Sequence, residues 1–508
     1  MNKLNRDLLK THNLPADVKI GVQKEMPVKV MQYGEGGFLR AFVDIMIDDL
    51  NSNNLFNGAI TVIQPIERGM IDMLNAQDGL YTVVLRGLED GEPVAQKKIV
   101  TSITSATNPY SDFDTYFANA KNPDLRVIVS NTTEAGIAYD ASDKLMDTPQ
   151  KSFPGKLTAF LYERYKTFRA DPAKGLIIIP CELIDENGTN LKKMVLRYAN
   201  EWALSDEFIS WLNNHNYFTN TLVDRIVTGY PRDEVDALNA ELGYVDDLLD
   251  TGEIFHFWVI EAPENIALDA LASELPFDKI GLNVVWTHDC TPYKARKVRI
   301  LNGAHTKSVL AAYLTGKNTV GEMMGDANFR KYLELGLFEE IIPGILKYLP
   351  YDNLKAFADS VFDRFANPTI KHNLLSIALN SQSKYRARVL PSILDYINEK
   401  KELPKMLTFS FAALIAFYKG TQIKDGALIG TRAGAEYRIE DDMPVLEFFA
   451  NAWSENGNDK AALAKKVCGN ADFWGQDLNE LPGFAQKVAE HLEEIQNIGM
   501  EAALNKIL

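Results

Sequence analysis

Two short stretches of this sequence combine residue types and spacing that can do chemistry. The first is Gly34-Glu35-Gly36-Gly37-Phe38-Leu39-Arg40, which follows a β-rich run, VKVMQY at 28–33, and opens a helical pattern. Glycines let a chain turn tightly and let a pyrophosphate approach the backbone, and a helix N-terminus supplies N–H donors. The third fingerprint position holds Leu39 instead of glycine, so the match to GxGxxG is partial, and a Gly-rich turn that binds nothing has the same pattern. The second stretch is Lys297-Val298-Arg299-Ile300-Leu301-Asn302-Gly303-Ala304-His305. An α-helix turns about 100° per residue, so Asn302 and His305 fall roughly 140° and 80° around from Lys297. One broad face then carries an amine, an amide and an imidazole: a proton donor, an oxyanion donor and an orienting group. The bland alternative is a solvated lysine beside a packed asparagine and a core histidine. Three polar groups inside the otherwise apolar run VRILNGAH argue against it.

Two further segments sit after strand-like runs, where α/β sheets bind ligands. In Ser130-Asn131-Thr132-Thr133-Glu134-Ala135-Gly136, Asn131 is a candidate cofactor contact, and a capped helix start explains the pattern equally well. Cys181-Glu182-Leu183-Ile184-Asp185-Glu186-Asn187-Gly188 ends in an Asn-Gly pair that a turn alone accounts for. The adenosine-ribose reader should end the second strand, but that strand runs into Gln64-Pro65-Ile66-Glu67-Arg68. Glu67 favours a free ribose hydroxyl and Arg68 tolerates a phosphate, so the tip leaves NAD and NADP both open. The seven histidines never occur as HxH, HxxxH or HExxH, and no GxSxG is present, so no metal site and no serine nucleophile are expected.

The elements that must position these residues follow from the rest of the chain. Short β-rich runs near 28–33, 60–64, 127–130 and 176–179 alternate with helical patterns such as 38–50 and 110–120, which predicts βαβ units and a parallel sheet. From about Thr291 the β-rich runs nearly vanish and long Ala/Leu/Lys/Glu patterns take over, with Thr291-Pro292 suited to a helix start. The expected fold is an α/β Rossmann-type domain over 1–290 followed by a mainly α-helical domain over 291–508. A chain of 508 residues is long enough for two such cores. The formal charge of −16 repels phosphate backbones and anionic lipid, so neither nucleic acid nor membrane is an expected partner. The apolar run at 406–418 is too short to cross a bilayer and reads as a core helix. Three scattered cysteines and a start without an apolar h-region suit a cytoplasmic location.

With both motifs in hand, the chain resembles the polyol-specific long-chain dehydrogenases, the mannitol dehydrogenase family. The resemblance runs through QYGEGGFLRAFVD at 32–44, QDGLYT at 77–82, SNTTEAGI at 130–137, IIPCELIDENG at 178–188, LVDRIVTGYPRDEV at 222–235, PYKARKVRILNGAHT at 292–306 and NPTIKHNLLSIALNSQSKYRARVLP at 367–391. It implies NAD as cofactor, bound at 34–40, and a site in the cleft between a dinucleotide-binding and a substrate domain. It implies Lys297 as general acid/base, Asn302 as the amide on the reacting oxygen and His305 as a substrate-orienting residue. Two departures count against mannitol itself. Leu183 stands where the mannitol-type pattern has a second oxyanion Asn, and Ser376 replaces an Arg eight residues before Lys384. The cations Lys371, Lys384, Arg386 and Arg388 suit a substrate carboxylate, with Lys384 and Arg386 the expected contacts. The implied reaction is hydride exchange between D-tagaturonate and D-altronate, with D-fructuronate and D-mannonate as the alternative pair. A non-catalytic sugar-acid-binding protein on the same scaffold is the reading from a different class.

Overall fold

The computed structural model describes residues 1–133 and 135–508, and its backbone divides into two compact units. One comprises Met1–Gly87 with Pro93–Cys290, the other Leu88–Glu92 with Thr291–Leu508.

In the first unit a six-stranded sheet is built from β1 (Val28–Tyr33), β2 (Ala59–Ile63), β3 (Ile103–Thr107), β4 (Val127–Ser130), β5 (Ile177–Pro180) and β6 (Tyr217–Phe218). The spatial order is β3-β2-β1-β4-β5-β6 and every pairing is parallel. This is the doubly wound order of a Rossmann-type fold, as the sequence led us to expect. Strands β2, β4 and β5 are buried along their whole length, which is why they read as continuous apolar runs instead of alternating ones. The order reverses at β1, so the ligand crevice of such a sheet opens between the ends of β1 and β4.

Helix α1 follows β1 in three continuous pieces, Gly37–Leu39, a π-wound Arg40–Asp44 and Ile45–Ser52. It packs Leu39, Phe42, Val43, Met46 and Leu50 into the apolar core against Val30, Ile60 and Val129. It also buries Asp44 completely. Asp44 Oδ2 accepts from Gln32 Nε2 at 3.2 Å and from the Tyr81 hydroxyl at 3.1 Å. Arg40 Nη2 stands 3.5 Å from the buried Asp250 carboxylate. Burial pushes the Asp44 carboxyl up to about 7 and that of Asp250 up to about 6, against the pull of Arg40. Both groups therefore bind a proton more tightly folded than unfolded. Their stabilisation is full near pH 4 and is lost as pH rises through about 6–7. We expect Asp44→Asn to gain stability relative to the parent as pH rises from 5 to about 7, by up to about 1.4 kcal/mol per pH unit, and the gain to level off above that. Urea midpoints of both proteins at the two pH values measure this, and an equal offset at pH 5 and pH 7 contradicts it.

The second unit is mainly helical. Its helix α2 comprises Thr291–Arg296, a second π-wound stretch Lys297–Asn302 and Gly303–Leu314. Next come α3 (Tyr351–Ala366), α4 (Ser381–Arg388) and α5 (Lys405–Phe417). Residues 406–417 of α5 are all buried, so this apolar run is a core helix. Buried polar side chains fix how the other helices meet it. Glu340 accepts from the Met406 and Leu407 amides at 2.8 and 2.9 Å, capping α5 from a distant segment. Lys307 of α2 donates to the Tyr332 carbonyl at 2.8 Å and lies 3.5 Å from that ring's centroid. Tyr385 of α4 shares a 2.6 Å hydrogen bond with Ser410 of α5.

Strands were missed in both halves. Tyr81–Glu89 and Glu92–Val100 form a hairpin across Asp90-Gly91, both at positive φ, and Ala427–Arg432 pairs with Ala435–Ile439 across Ala433-Gly434. Charged, exposed positions interrupt the apolar pattern in Glu92–Val100 and Ala435–Ile439, whereas Tyr81–Leu85 is buried, and the turn pairs were a further signal. Among the described residues no helix is long and apolar enough to cross a membrane.

Candidate active site

The end of β1 and the end of β4 meet at the switch point. Asn131 N donates to the Tyr33 carbonyl at 3.0 Å. Gly34 has φ +121°, and a Cβ there would stand 2.9 Å from the Asn131 carbonyl oxygen, so side chain and backbone conformation both require glycine. Gly36 differs: it is exposed, at φ −65° and ψ 158°, and a Cβ on it would meet no heavy atom within 4 Å. The helix that starts at Gly37 has no side-chain cap, which leaves its first N–H groups to an outside acceptor. A Cβ on Gly37 would lie 3.0 Å from the Asp250 carboxylate. Open space over Gly36 beside uncapped amides is the shape a diphosphate needs.

The other residues of the turn support it from within. The Glu35 carboxylate accepts from Met70 N at 3.2 Å, tying the turn to the loop after β2, and burial raises its pKa. Phe38 stacks on Phe42 with centroids 5.0 Å apart, and Leu39 is buried. Arg40 points inward, donating to the Leu248 carbonyl at 2.5 Å and the Glu35 carbonyl at 3.2 Å. Its guanidinium is a strut of the turn and is not presented to a phosphate. Glu67 and Arg68 are both exposed.

Just after β5, Glu182 is the residue sequence reasoning undervalued. Its buried carboxylate accepts from Thr132 N and Oγ1, each at 2.9 Å, and from Ser130 Oγ at 3.1 Å. It thereby pins the loop that carries Asn131. Glu134 of the same motif lies outside the described residues. Asn187 opens a helix, Asn187–Glu201, and not a turn, and its side chain bridges Pro180 and Thr221. Leu183 is 69% exposed and offers no polar side-chain atom to hold a substrate oxygen.

In the second unit, Lys297 and Asn302 bound the π-wound stretch of α2. A π-turn hydrogen-bonds residues five apart, so it stacks positions that an α-helix separates. The expected 140° offset is therefore corrected: winding brings the amine and the amide onto a narrower common face. His305 follows on the α-helical continuation. Its ring stacks on Phe365 of α3 at 4.0 Å and meets the ring of His372 edge-on at 5.3 Å. His305 Nε2 is buried and has no hydrogen-bond partner among the described residues. Burial, then His372, Arg364, Arg388 and Lys384, hold its pKa well below the usual imidazole value. It is thus neutral at pH 7, with a ring nitrogen able to accept or donate.

Those neighbours correct one expectation. Lys384 and Arg388 lie four apart on α4 and share a face, whereas Arg386 falls on the other side. Arg386 is exposed and donates to the Asp472 carbonyl at 3.1 Å, away from His305. Arg388, Arg364 and His372 are, with Lys384, the groups that bear on His305, and the spacing of single motifs did not reveal Arg364 and His372. Lys371 and Ser376 are exposed. Among the described residues no group of three or more His, Cys, Asp or Glu is arranged to hold a metal ion.

With this geometry in view, the chain was compared with known proteins. Two family models match it: the mannitol dehydrogenase Rossmann domain over residues 28–270 and the mannitol dehydrogenase C-terminal domain over residues 289–496. Altronate oxidoreductases of Pectobacterium carotovorum subsp. carotovorum (strain PC1) and Escherichia coli O7:K1 are each 47% identical to it, over 95% of this chain and 97% of theirs. That of Yersinia enterocolitica is 48% identical over 94% and 96%. Among solved structures, substrate-free D-sorbitol dehydrogenase superposes with a TM-score of 0.80 at 21% identity, covering 99% of this chain and 100% of that one. Pseudomonas fluorescens mannitol 2-dehydrogenase, in ternary complex with NAD and D-mannitol, gives 0.67 at 22% identity over 99% of each. At such identities these two neighbours bear on the fold alone.

Proposed function

Because the chain belongs to the mannitol dehydrogenase family, we propose that it is an NAD-dependent oxidoreductase that interconverts D-tagaturonate and D-altronate. The observation that carries this reading is His305. It is a neutral imidazole whose buried Nε2 has no hydrogen-bond partner among the described residues, on the helix of Lys297 and Asn302, and basic side chains bear on it. A neutral polyol has no charge to set against those bases, whereas a uronate does. Relatives named altronate oxidoreductase at 47% identity over 95% of the chain support the same substrate.

The first unit holds the dinucleotide. Gly34 and Gly36 keep side chains off the β1–α1 turn, the Gly37, Phe38 and Leu39 amides face the diphosphate, and Asn131 lines the other lip of the crevice. Glu35 and Arg40 keep that turn in shape. Bound there, the nicotinamide cofactor supplies or takes up the hydride. The second unit holds the sugar acid. Asn302 donates its amide N–H to the reacting oxygen and stabilises the charge that builds on it. Lys297 gives that oxygen a proton during reduction and recovers it during oxidation. His305 Nε2 orients the substrate through an adjacent hydroxyl.

The test is nicotinamide absorbance with NADH and NADPH against D-tagaturonate, D-fructuronate and D-fructose. We expect kcat/KM for tagaturonate with NADH to exceed every other pairing by at least about tenfold, which is about 1.4 kcal/mol of transition-state preference. Preference for fructuronate moves the assignment to the mannonate pair. Fructose turnover above both uronates overturns the acid substrate.

A further inference from the structure

The basic groups around His305 have a role that catalysis does not require of them. Arg388 is half-buried at the end of α4, and its one hydrogen bond among the described residues is Nη1 to Thr306 Oγ1 at 3.5 Å. That is the outer limit of such a bond, and Thr306 is the residue after His305. Lys384, one helical turn earlier on the same face, donates to the Ile377 carbonyl at 3.0 Å. Neither Lys384 nor Arg388 has a carboxylate within ion-pair distance among the described residues. The acid that bears on Lys384 from further off is Asp441, whose carboxylate is already engaged by the Tyr418 hydroxyl and by Gln382 N at 3.3 Å.

The remaining members come from other elements. Arg364 is largely buried on α3, beside the Phe365 that stacks on His305. His372 is held in place because Val320 N donates to its carbonyl at 2.9 Å. The chain carries 69 acidic residues against 53 lysines and arginines, yet Arg364, Arg388 and Lys384 all bear on His305. For Lys384 and Arg388, half-buried positive charge without a carboxylate in ion-pair range among the described residues is unfavourable. An incoming anion relieves it, and a guanidinium fork matches a carboxylate in shape.

We propose that Arg388, with Lys384 beside it and Arg364 and His372 completing the surround, forms the subsite that takes the substrate carboxylate, and that Arg388 sets selectivity for a sugar acid over a neutral sugar. This rests on the functional reading above and adds to it the residue that discriminates. The substrate then spans α2 and α4, its reacting oxygen toward Lys297 and Asn302 and its carboxylate toward Arg388.

The experiment uses the full-length chain with Arg388→Ala, Arg388→Lys and Arg386→Ala. Arg388→Ala should raise KM for D-tagaturonate by about 10- to 150-fold, the range of a charge-assisted hydrogen-bonded contact. Its kcat should stay within about threefold and its NADH affinity should not change. Methylguanidinium in the assay should restore part of the loss, which a merely structural defect would not permit. Arg388→Lys should fall between the parent and the alanine variant, and Arg386→Ala should match the parent. An unchanged KM, or a loss that falls on kcat alone, overturns the subsite. If the parent turns over neither uronate, the functional reading fails by itself. Calorimetric titration of D-altronate into the parent and Arg388→Ala then decides the subsite: weaker binding by the variant upholds it, and equal binding removes it.

Discussion

Lys297→Met should lower turnover by roughly 10²–10⁴-fold in both directions, the usual share of general acid–base catalysis, while NADH binding is retained. The substitution keeps most of the apolar stem and removes only the transferable proton and its charge. Its position explains why the loss should fall on kcat. Lys297 opens the π-wound stretch that ends at Asn302, and in the proposed mechanism amine and amide address one oxygen. His305, neutral and with a buried Nε2 that has no partner among the described residues, is the next group able to move a proton. Steady-state rates of tagaturonate reduction and altronate oxidation, together with a fluorescence titration of NADH, measure the effect. Near-normal turnover of Lys297→Met would transfer the proton step to His305.

Gly36→Val should weaken dinucleotide binding by roughly 10- to 100-fold, or about 1.4–3 kcal/mol, without loss of fold. The two neighbouring glycines make this a clean test. At Gly36 the backbone sits at φ −65° and ψ 158°, which a β-branched residue adopts readily, and the added Cβ meets no protein atom within 4 Å. With the Cβ free of protein atoms, the clash expected of the variant is with the proposed ligand. At Gly34, by contrast, φ is +121° and the Asn131 carbonyl oxygen is 2.9 Å from a Cβ, so Gly34→Ala should cost stability as well. Thermal unfolding separates the two variants, and NADH titration reads the affinity. An unchanged dissociation constant in folded Gly36→Val takes the turn out of the cofactor site.

The features that repeat along the chain were the legible ones. Buried parallel strands such as AITVI and VIVS announce themselves as apolar runs, and a glycine-rich turn after the first of the sheet's strands locates the switch point. Lys297, Asn302 and His305 stood out because they interrupt an apolar helix. What stayed hidden depends on geometry that composition does not encode. A π-turn is a local change of winding with no residue signature, so the 140° offset of Asn302 was computed for the wrong helix. Arg386 and Arg388 are two residues apart, and helix phase alone sends one toward Asp472 and the other toward Thr306. Arg364 and His372 reach His305 from separate segments, which no single-motif spacing can reveal. The inward direction of Arg40 in the turn was hidden because its partner, Leu248, lies 208 residues away.

The most direct test of the account is to follow the transferred hydrogen. The protein is incubated with D-tagaturonate and NADH carrying deuterium at both nicotinamide C4 positions, so that either face delivers a deuteride, and the product is read by NMR and mass spectrometry. The account predicts D-altronate with one deuterium on the new carbinol carbon, formed in step with NADH consumption. Altronate without the label, or no reduction of tagaturonate or fructuronate at all, contradicts it.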